Sequence, residues 1–315
     1  MVTMTPAISS LHPLSPLHVD QIPAPDHRAS ARDVADVVNF LVLGVQKGGT
    51  TWICDMLRQH PDVFIPTWKE LRFFNRDANF QKGYAWYLDL FRGYGGAKAV
   101  GEGNPTYFFH RCDVPGKDLW NHPDAPARIR EALPGSKLIL SFRDPVKRAV
   151  SAYQHFLTRG QLTPYKPFRD VWDEYGIRAQ GEYANQLELW LELFPAEQFH
   201  MIVFEDDIAP DAAKQATLDG LFDTLGVDRL TEIPGLYDRS NEAQAPALAH
   251  FNNFGAFRDN ALGRKLRDGI NRRLPKSIQD RLKIRIPDAD LDALREHYQP
   301  HNARLEALMD RSLPW

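Results

Sequence analysis

The chain has only two cysteines in 315 residues, Cys54 and Cys112. Two cannot build a disulfide framework, so the small stapled scaffolds are excluded and a reducing compartment is the simpler expectation. No apolar run approaches the roughly 18 residues needed to cross a bilayer. The N-terminus also lacks the basic segment followed by an apolar core that marks a secretion signal. From both absences we expect a soluble, cytoplasmic protein. The net charge is −3, so no global basic field invites nucleic acid, and only a local basic pocket stays open. No internal repeat and no second domain boundary are visible.

What is present is ordinary globular material, 43% hydrophobic and 25% charged. A chain of this length can bury a core without metals or disulfides. Residues 1–37 are rich in Pro, Ser, His and Asp without an apolar period. They are expected to form a flexible arm ahead of a single domain, 38–315.

Regular structure should begin with the apolar run at 39–45, a strand of the buried parallel kind. A glycine-rich turn follows, then a helix over 51–60 with Trp52, Ile53, Met56 and Leu57 on one side. Residues 99–101 and 137–142 read as further strands. The latter stops at Arg143-Asp144-Pro145, where Asp144 suits an N-cap and Pro145 the first helical position. A helix then runs to about 157, another spans 182–194, and a strand follows at 199–204. Strands alternating with helices predict an α/β fold, a mostly parallel sheet with helices on both faces.

The turn Gly44-Val45-Gln46-Lys47-Gly48-Gly49-Thr50-Thr51-Trp52 sits between a strand and a helix. The N–H groups and dipole of a helix N-terminus favour an anion. Gly48 and Gly49 would let the backbone approach phosphate oxygens. Thr50 and Thr51 add hydroxyls, and Lys47 adds a mobile positive charge. The nucleotide-triphosphatase pattern Gly-x-x-x-x-Gly-Lys-Ser/Thr is absent, because this lysine precedes the glycine pair, which disfavours a magnesium–NTP enzyme. A small-molecule P-loop kinase and a non-catalytic nucleotide- or glycan-binding module stay as alternatives.

A second anion site follows the strand at 137–142. Arg143 can grip a phosphate with two parallel bonds, and Ser151, eight residues on, can add one more. Strand ends are where ligands bind in open α/β sheets. Two anion sites favour a nucleotide phosphorylated at both ends.

These two motifs, in this order, resemble those of sulfotransferases that use 3′-phosphoadenosine-5′-phosphosulfate (PAPS). The resemblance is closer to the heparan-sulfate-type and bacterial branch than to the cytosolic aryl branch, and it spans about 40–315. It implies a P-loop-like three-layer sandwich and PAPS as co-substrate. It implies that Lys47 contacts the leaving 5′-phosphosulfate, while Gly48, Gly49, Thr50, Thr51 and Trp52 cradle the donor. Arg143 and Ser151 match the positions that hold the 3′-phosphate, and Tyr183 matches a helix near the nucleotide.

The stretch Thr67-Trp68-Lys69-Glu70-Leu71-Arg72-Phe73-Phe74-Asn75 resembles the Lys-Glu-x-x-Phe-Phe segment of heparan-type enzymes. That implies Glu70 as general base, best served by burial that raises its pKa, with Arg72 beside it at the acceptor. His155 competes for the role, since the aryl branch uses a histidine. Gly101-Glu102-Gly103-Asn104-Pro105-Thr106-Tyr107 resembles a segment that walls the acceptor site, which implies substrate contacts for Thr106 and Tyr107. Gly103 stands where some heparan-type members carry lysine. The Lys-Gly-Arg loop of heparan-type enzymes is replaced by Arg264-Lys265, Arg272-Arg273, Lys276 and Lys283-Ile284-Arg285. Taken together, the resemblance implies metal-free sulfuryl transfer to a hydroxyl, less readily an amine, of a saccharide or other small acceptor. No nucleic-acid partner is expected, and the oligomeric state is left open.

Overall fold

Five consecutive buried residues, Phe40–Gly44, form strand β1. The computed structural model describes residues 29–68, 70–109, 124–158, 161–162, 166–238 and 285–315. Around β1 lie β2 (Val63–Phe64), β3 (Ala99–Gly103), β4 (Lys137–Phe142) and β5 (Phe199–Val203), in the order β2-β3-β1-β4-β5. Every pairing is parallel. A parallel sheet is covered on both faces, so its strands carry apolar side chains at odd and even positions alike. Leu41, Leu43, Leu138 and Leu140 enter one core. Phe40, Val42 and Ile139 enter the other.

The helices are α1 (Ala31–Ala35), α2 (Thr50–Leu57), α3 (Asp77–Phe80), α4 (Gly83–Asp89), α5 (Ala125–Ala132), α6 (Pro145–Thr158), α7 (Phe168–Glu174), α8 (Tyr183–Leu193), α9 (Asp211–Leu225) and α10 (Asp288–Met309). One core draws on α1, α4, α5 and α8, and the other on α2 and α9. A third apolar cluster joins α6, α7 and α10 through Tyr153, Phe168 and Tyr298. Among the described residues no helix is long and apolar enough to cross a membrane.

The expected α/β architecture is what the structure has, with local differences, among them helices α3, α4, α5 and α7, which no stated pattern foresaw. Helix α2 ends at Leu57, short of residue 60, because Gln59 and His60 turn back onto Met56 and Leu57 carbonyls. Strand β2 was not foreseen, since two residues carry no period. Residues 31–35, expected to belong to the arm, form α1. Ser30 caps it with a reciprocal capping box to Asp33, and Val34 is fully buried. A five-residue helix with one apolar anchor is too short for a pattern search. Of the basic residues that stand in place of the Lys-Gly-Arg loop, those from Arg264 to Lys283 lie outside the described residues.

Position follows from topology. Strand β1 has β3 on one side and β4 on the other. After β3 the chain crosses β1 to lay down β4, so the connections leave β1 and β4 in opposite directions. The crevice beyond their carboxyl ends is the ligand site of open α/β sheets.

Candidate functional site

A cavity of about 2080 Å³ lies across those carboxyl ends. Lys47, Gly49, Thr50, Thr51, Trp52, Arg143 and Ser151 line it, and so do Glu70, Arg72 and Thr106. Three residues expected in the site, Gly48, Tyr107 and Tyr183, are not on this wall.

The turn after β1 is shaped by backbone geometry. Gly49 precedes α2 with φ 94°, in the left-handed region that glycine occupies without a Cβ penalty. Lys47 is also left-handed, with φ 71°, which for a residue with a Cβ costs roughly 1–2 kcal/mol. Strain of this kind concentrates where a ligand is gripped. The first backbone bond of α2 runs from the Ile53 N–H to the Gly49 carbonyl. The helix therefore presents its opening turn, Thr50 to Trp52, to the cavity.

Gly48 has a different task from the one its sequence suggested. Its N–H donates to the Val45 carbonyl at 2.9 Å. Its carbonyl accepts the Ser141 hydroxyl at 2.5 Å. A Cβ there would collide with the Ser141 carbonyl. Gly48 thus lets the turn pack on β4, and its amide is already used. Trp52 reaches the wall, but its indole is core. Only 4% of it is exposed, and its Nε1–H donates to the Leu236 carbonyl.

Arg143 joins the two anion motifs. Its Nη1 donates to the Lys47 carbonyl at 3.0 Å, and its guanidinium lies 4.9 Å from the Phe204 ring centre. Glu205 stands behind it, with Oε1 4.0 Å from Arg143 Nε and Oε2 accepting the Asp144 N–H at 3.2 Å. Burial pushes the Glu205 carboxyl up, against the Asp144 amide and the charges of Lys147 and Arg143. Sequence reading missed Glu205 as Arg143's support. The signal was the acidic run opening right after β5, whose neighbour in the sheet is β4.

Asp144 caps α6 as expected, accepting the Val146 N–H at 2.9 Å. Ser151 follows two turns along that helix, and His155 one turn later, both on the wall. Tyr183 serves this region from behind. It is 1% exposed, and its hydroxyl donates to the Arg143 carbonyl at 2.9 Å. It holds the Arg143 backbone, with its ring packed against Phe142.

Glu70 and Arg72 also line the cavity, as a pair, Nη2 to Oε2 at 3.0 Å. The burial expected for Glu70 is not there, since its side chain is 37% exposed. Thr106 is on the wall, but its hydroxyl already donates to Asn104 and accepts from Asn75. Tyr107 is fully buried. Its hydroxyl donates to Glu102 at 2.9 Å and accepts the Phe73 N–H at 3.0 Å. It belongs to the core behind the wall, and no sequence pattern signals that its polar end is already bonded. Glu102 itself is fully buried on β3, and burial pushes its carboxyl to about 7, against the Tyr87 and Tyr107 hydroxyls. A side chain at Gly103 would collide with Cys54 Sγ, so the lysine of some heparan-type enzymes has no room here.

The wall therefore brings Lys47, Arg143 and a helix N-terminus together with the Glu70–Arg72 pair. Such an arrangement can neutralise a phosphate-rich leaving group and accept a proton from an incoming nucleophile.

Residues 38–216 match the model of the sulfotransferase domain family. Over 285 residues the chain is 28% identical to heparan sulfate glucosamine 3-O-sulfotransferase 6 of Homo sapiens, covering 87% of this chain and 72% of that protein. It is 26% identical over 296 residues to heparan sulfate glucosamine 3-O-sulfotransferase 5 of Mus musculus, covering 90% and 75%. The crystal structure of a sulfotransferase from Alicyclobacillus acidocaldarius matches with a TM-score of 0.56 at 24% identity, covering 88% of this chain and 97% of that one. That last likeness speaks to the fold.

Proposed function

The chain belongs to the sulfotransferase family, and from that premise we propose that it moves the sulfuryl group of PAPS to a saccharide hydroxyl. The observation that carries this reading is the placement of Lys47, Arg143 and Glu70 on one cavity. In this reading the acceptor oxygen attacks sulfur, and its proton passes to the Glu70 carboxylate. The bond from sulfur to the 5′-phosphate oxygen breaks, and its electron pair leaves with 3′,5′-ADP.

Lys47 and the first turn of α2 meet the charge that grows on that leaving oxygen. Arg143 and Ser151 grip the 3′-phosphate, so the nucleotide is held at both ends and in line. Arg72, bonded to Glu70 at 3.0 Å, keeps the carboxylate in place. Among the described residues Arg143 meets a carbonyl and a carboxylate 4.0 Å away, which leaves part of its donor fork for phosphate.

The saccharide acceptor rests on two points. The relatives are named as 3-O-sulfotransferases of heparan sulfate glucosamine. The cavity, at about 2080 Å³, exceeds the roughly 300–1,000 Å³ of pockets for single small ligands. A nucleotide and a stretch of glycan both have space. Because position 103 holds glycine against Cys54, we read the acceptor as less highly sulfated than one that needs a lysine there.

The test is incubation with PAPS and a panel of acceptors, namely desulfated heparan, N-sulfated heparan, a simple phenol and a fatty alcohol, followed by mass analysis. The expected result is one added SO₃ on a glycan hydroxyl. Sulfation of the phenol or the alcohol with both glycans untouched would overturn the acceptor reading.

A further inference from the structure

Behind the acceptor wall lies a polar cluster that the proposed chemistry does not use. Glu102 is fully buried in β3, opposite Leu41 of β1. Its Oε1 accepts two phenol hydroxyls, Tyr87 at 2.8 Å and Tyr107 at 2.9 Å. Tyr107 is a relay, because its oxygen also accepts the backbone N–H groups of Phe73 at 3.0 Å and Phe74 at 3.4 Å. Those two residues directly follow the pair Glu70 and Arg72. The rings on either side close the cluster, with Phe73 stacked on Tyr87 at 4.5 Å.

A buried carboxylate is costly, and well-packed apolar side chains often stabilise a core as much or more. Core stability alone therefore does not account for Glu102. What the carboxylate does that an apolar residue could not is orient Tyr107, so that its lone pairs meet two backbone amides. The segment needs such a hold. Its described residues make no strand or helix between Phe64 and Asp77, and Arg72 sits at φ 53°. Asn79 adds a second tie, donating to the Leu71 and Arg72 carbonyls at 3.1 and 3.3 Å.

We propose that Glu102 is a positioning residue, which through Tyr107 fixes the Phe73–Phe74 backbone and so holds the Glu70 carboxylate at the cavity wall. The inference rests on Glu70 acting as the base. Its size follows from geometry, since a misplacement of ~1 Å in a reacting group can cost ~100-fold in rate.

The experiment compares Tyr107→Phe with Tyr87→Phe. Each removes one hydroxyl from the same Glu102 oxygen, but only the first frees the Phe73 and Phe74 amides. Both are made in the native chain and in Glu70→Gln, with kcat and the calorimetric Kd for 3′,5′-ADP as readouts. We expect Tyr107→Phe to lower kcat at least ~10-fold, and Tyr87→Phe less than ~3-fold, each with the Kd for 3′,5′-ADP within ~2-fold. In the Glu70→Gln background Tyr107→Phe should add no further loss, because it acts through a base that is gone.

Equal effects of the two tyrosine variants would overturn the proposal. So would a Tyr107→Phe loss that multiplies the Glu70→Gln loss, or one that tracks nucleotide affinity. Glu70→Gln alone reports on the base itself, so failure of that reading shows separately, as native turnover in the single variant. Should Tyr107→Phe not fold, Glu102→Gln takes its place. It keeps an acceptor oxygen but loses the charge that strengthens both bonds, and should lower kcat ~3–10-fold with the same lack of effect in Glu70→Gln.

Discussion

The Arg143 guanidinium donates to the Lys47 carbonyl across 3.0 Å, so the cation that ends β4 is fixed to the turn that follows β1. The two anion motifs, 96 residues apart in the chain, are tied directly to each other.

Arg143→Lys should separate charge from geometry. A lysine keeps the charge but cannot hold the Lys47 carbonyl and grip a phosphate through two parallel bonds. We expect the preference for 3′,5′-ADP over 5′-AMP, read by calorimetry, to fall by ~10–100-fold, the worth of a hydrogen bond to a charged group. An unchanged preference would place the 3′-phosphate elsewhere.

Tyr183→Phe removes the hydroxyl that meets the Arg143 carbonyl at 2.9 Å and leaves that buried acceptor unpaired. The expected loss of stability is ~1–3 kcal/mol, measured from the denaturant midpoint. The affinity for 3′,5′-ADP should fall only slightly, since the tyrosine ring is packed on Phe142. A large affinity loss with normal stability would return Tyr183 to the nucleotide.

Gly49→Ala places a Cβ at φ 94°, against the Phe204 ring. The left-handed backbone costs ~1–2 kcal/mol for an L side chain, and Phe204 must also give way. Because Phe204 lies under Arg143, we expect weaker nucleotide binding along with a lower melting temperature. Gly96→Ala also changes a left-handed glycine, but nothing lies within 4 Å of its Cβ. It should lower stability and leave nucleotide binding intact.

Glu102 makes stability depend on pH. Its carboxyl is pushed from 4.5 to about 7, by burial first, with the Tyr87 and Tyr107 hydroxyls opposing. The folded state thus binds a proton that the unfolded state has lost. That contribution is complete below about pH 4.5 and is lost as pH rises through about 7. The total is on the order of 3 kcal/mol. Denaturant midpoints at pH 5 and pH 8, compared between native chain and Glu102→Gln, check it. The variant should show the smaller drop between the two pH values.

Much of the donor half was legible because it is local. A buried strand, a turn with two glycines and a helix start are contiguous from Phe40 to Leu57, and Arg143-Asp144-Pro145 is a strand end and a helix cap in three residues. What sequence could not show was how each polar atom is spent. Gly48 reads as an open cradle, yet its amide serves Val45. Tyr183 and Tyr107 read as ligand contacts, yet their hydroxyls bond the Arg143 carbonyl and Glu102. Tyr183 and Arg143 are 40 residues apart, and the Tyr107 hydroxyl also takes the amide of Phe73, 34 residues away. Packing of helix and loop against the sheet, in one core, brings them together. Glu205 stayed hidden for the same reason, since β5 meets β4 only once folded.

The most direct test of the account is Glu70→Gln, assayed for sulfuryl transfer from PAPS and for 3′,5′-ADP binding on the same preparation. Turnover should fall by ~100-fold or more, the usual worth of a general base, while the Kd for 3′,5′-ADP should stay within ~2-fold, as expected if Lys47, Arg143 and α2 hold the nucleotide. Turnover near the native level with the donor site intact would contradict it, and the proton acceptor would have to be sought elsewhere on the wall, beginning with His155.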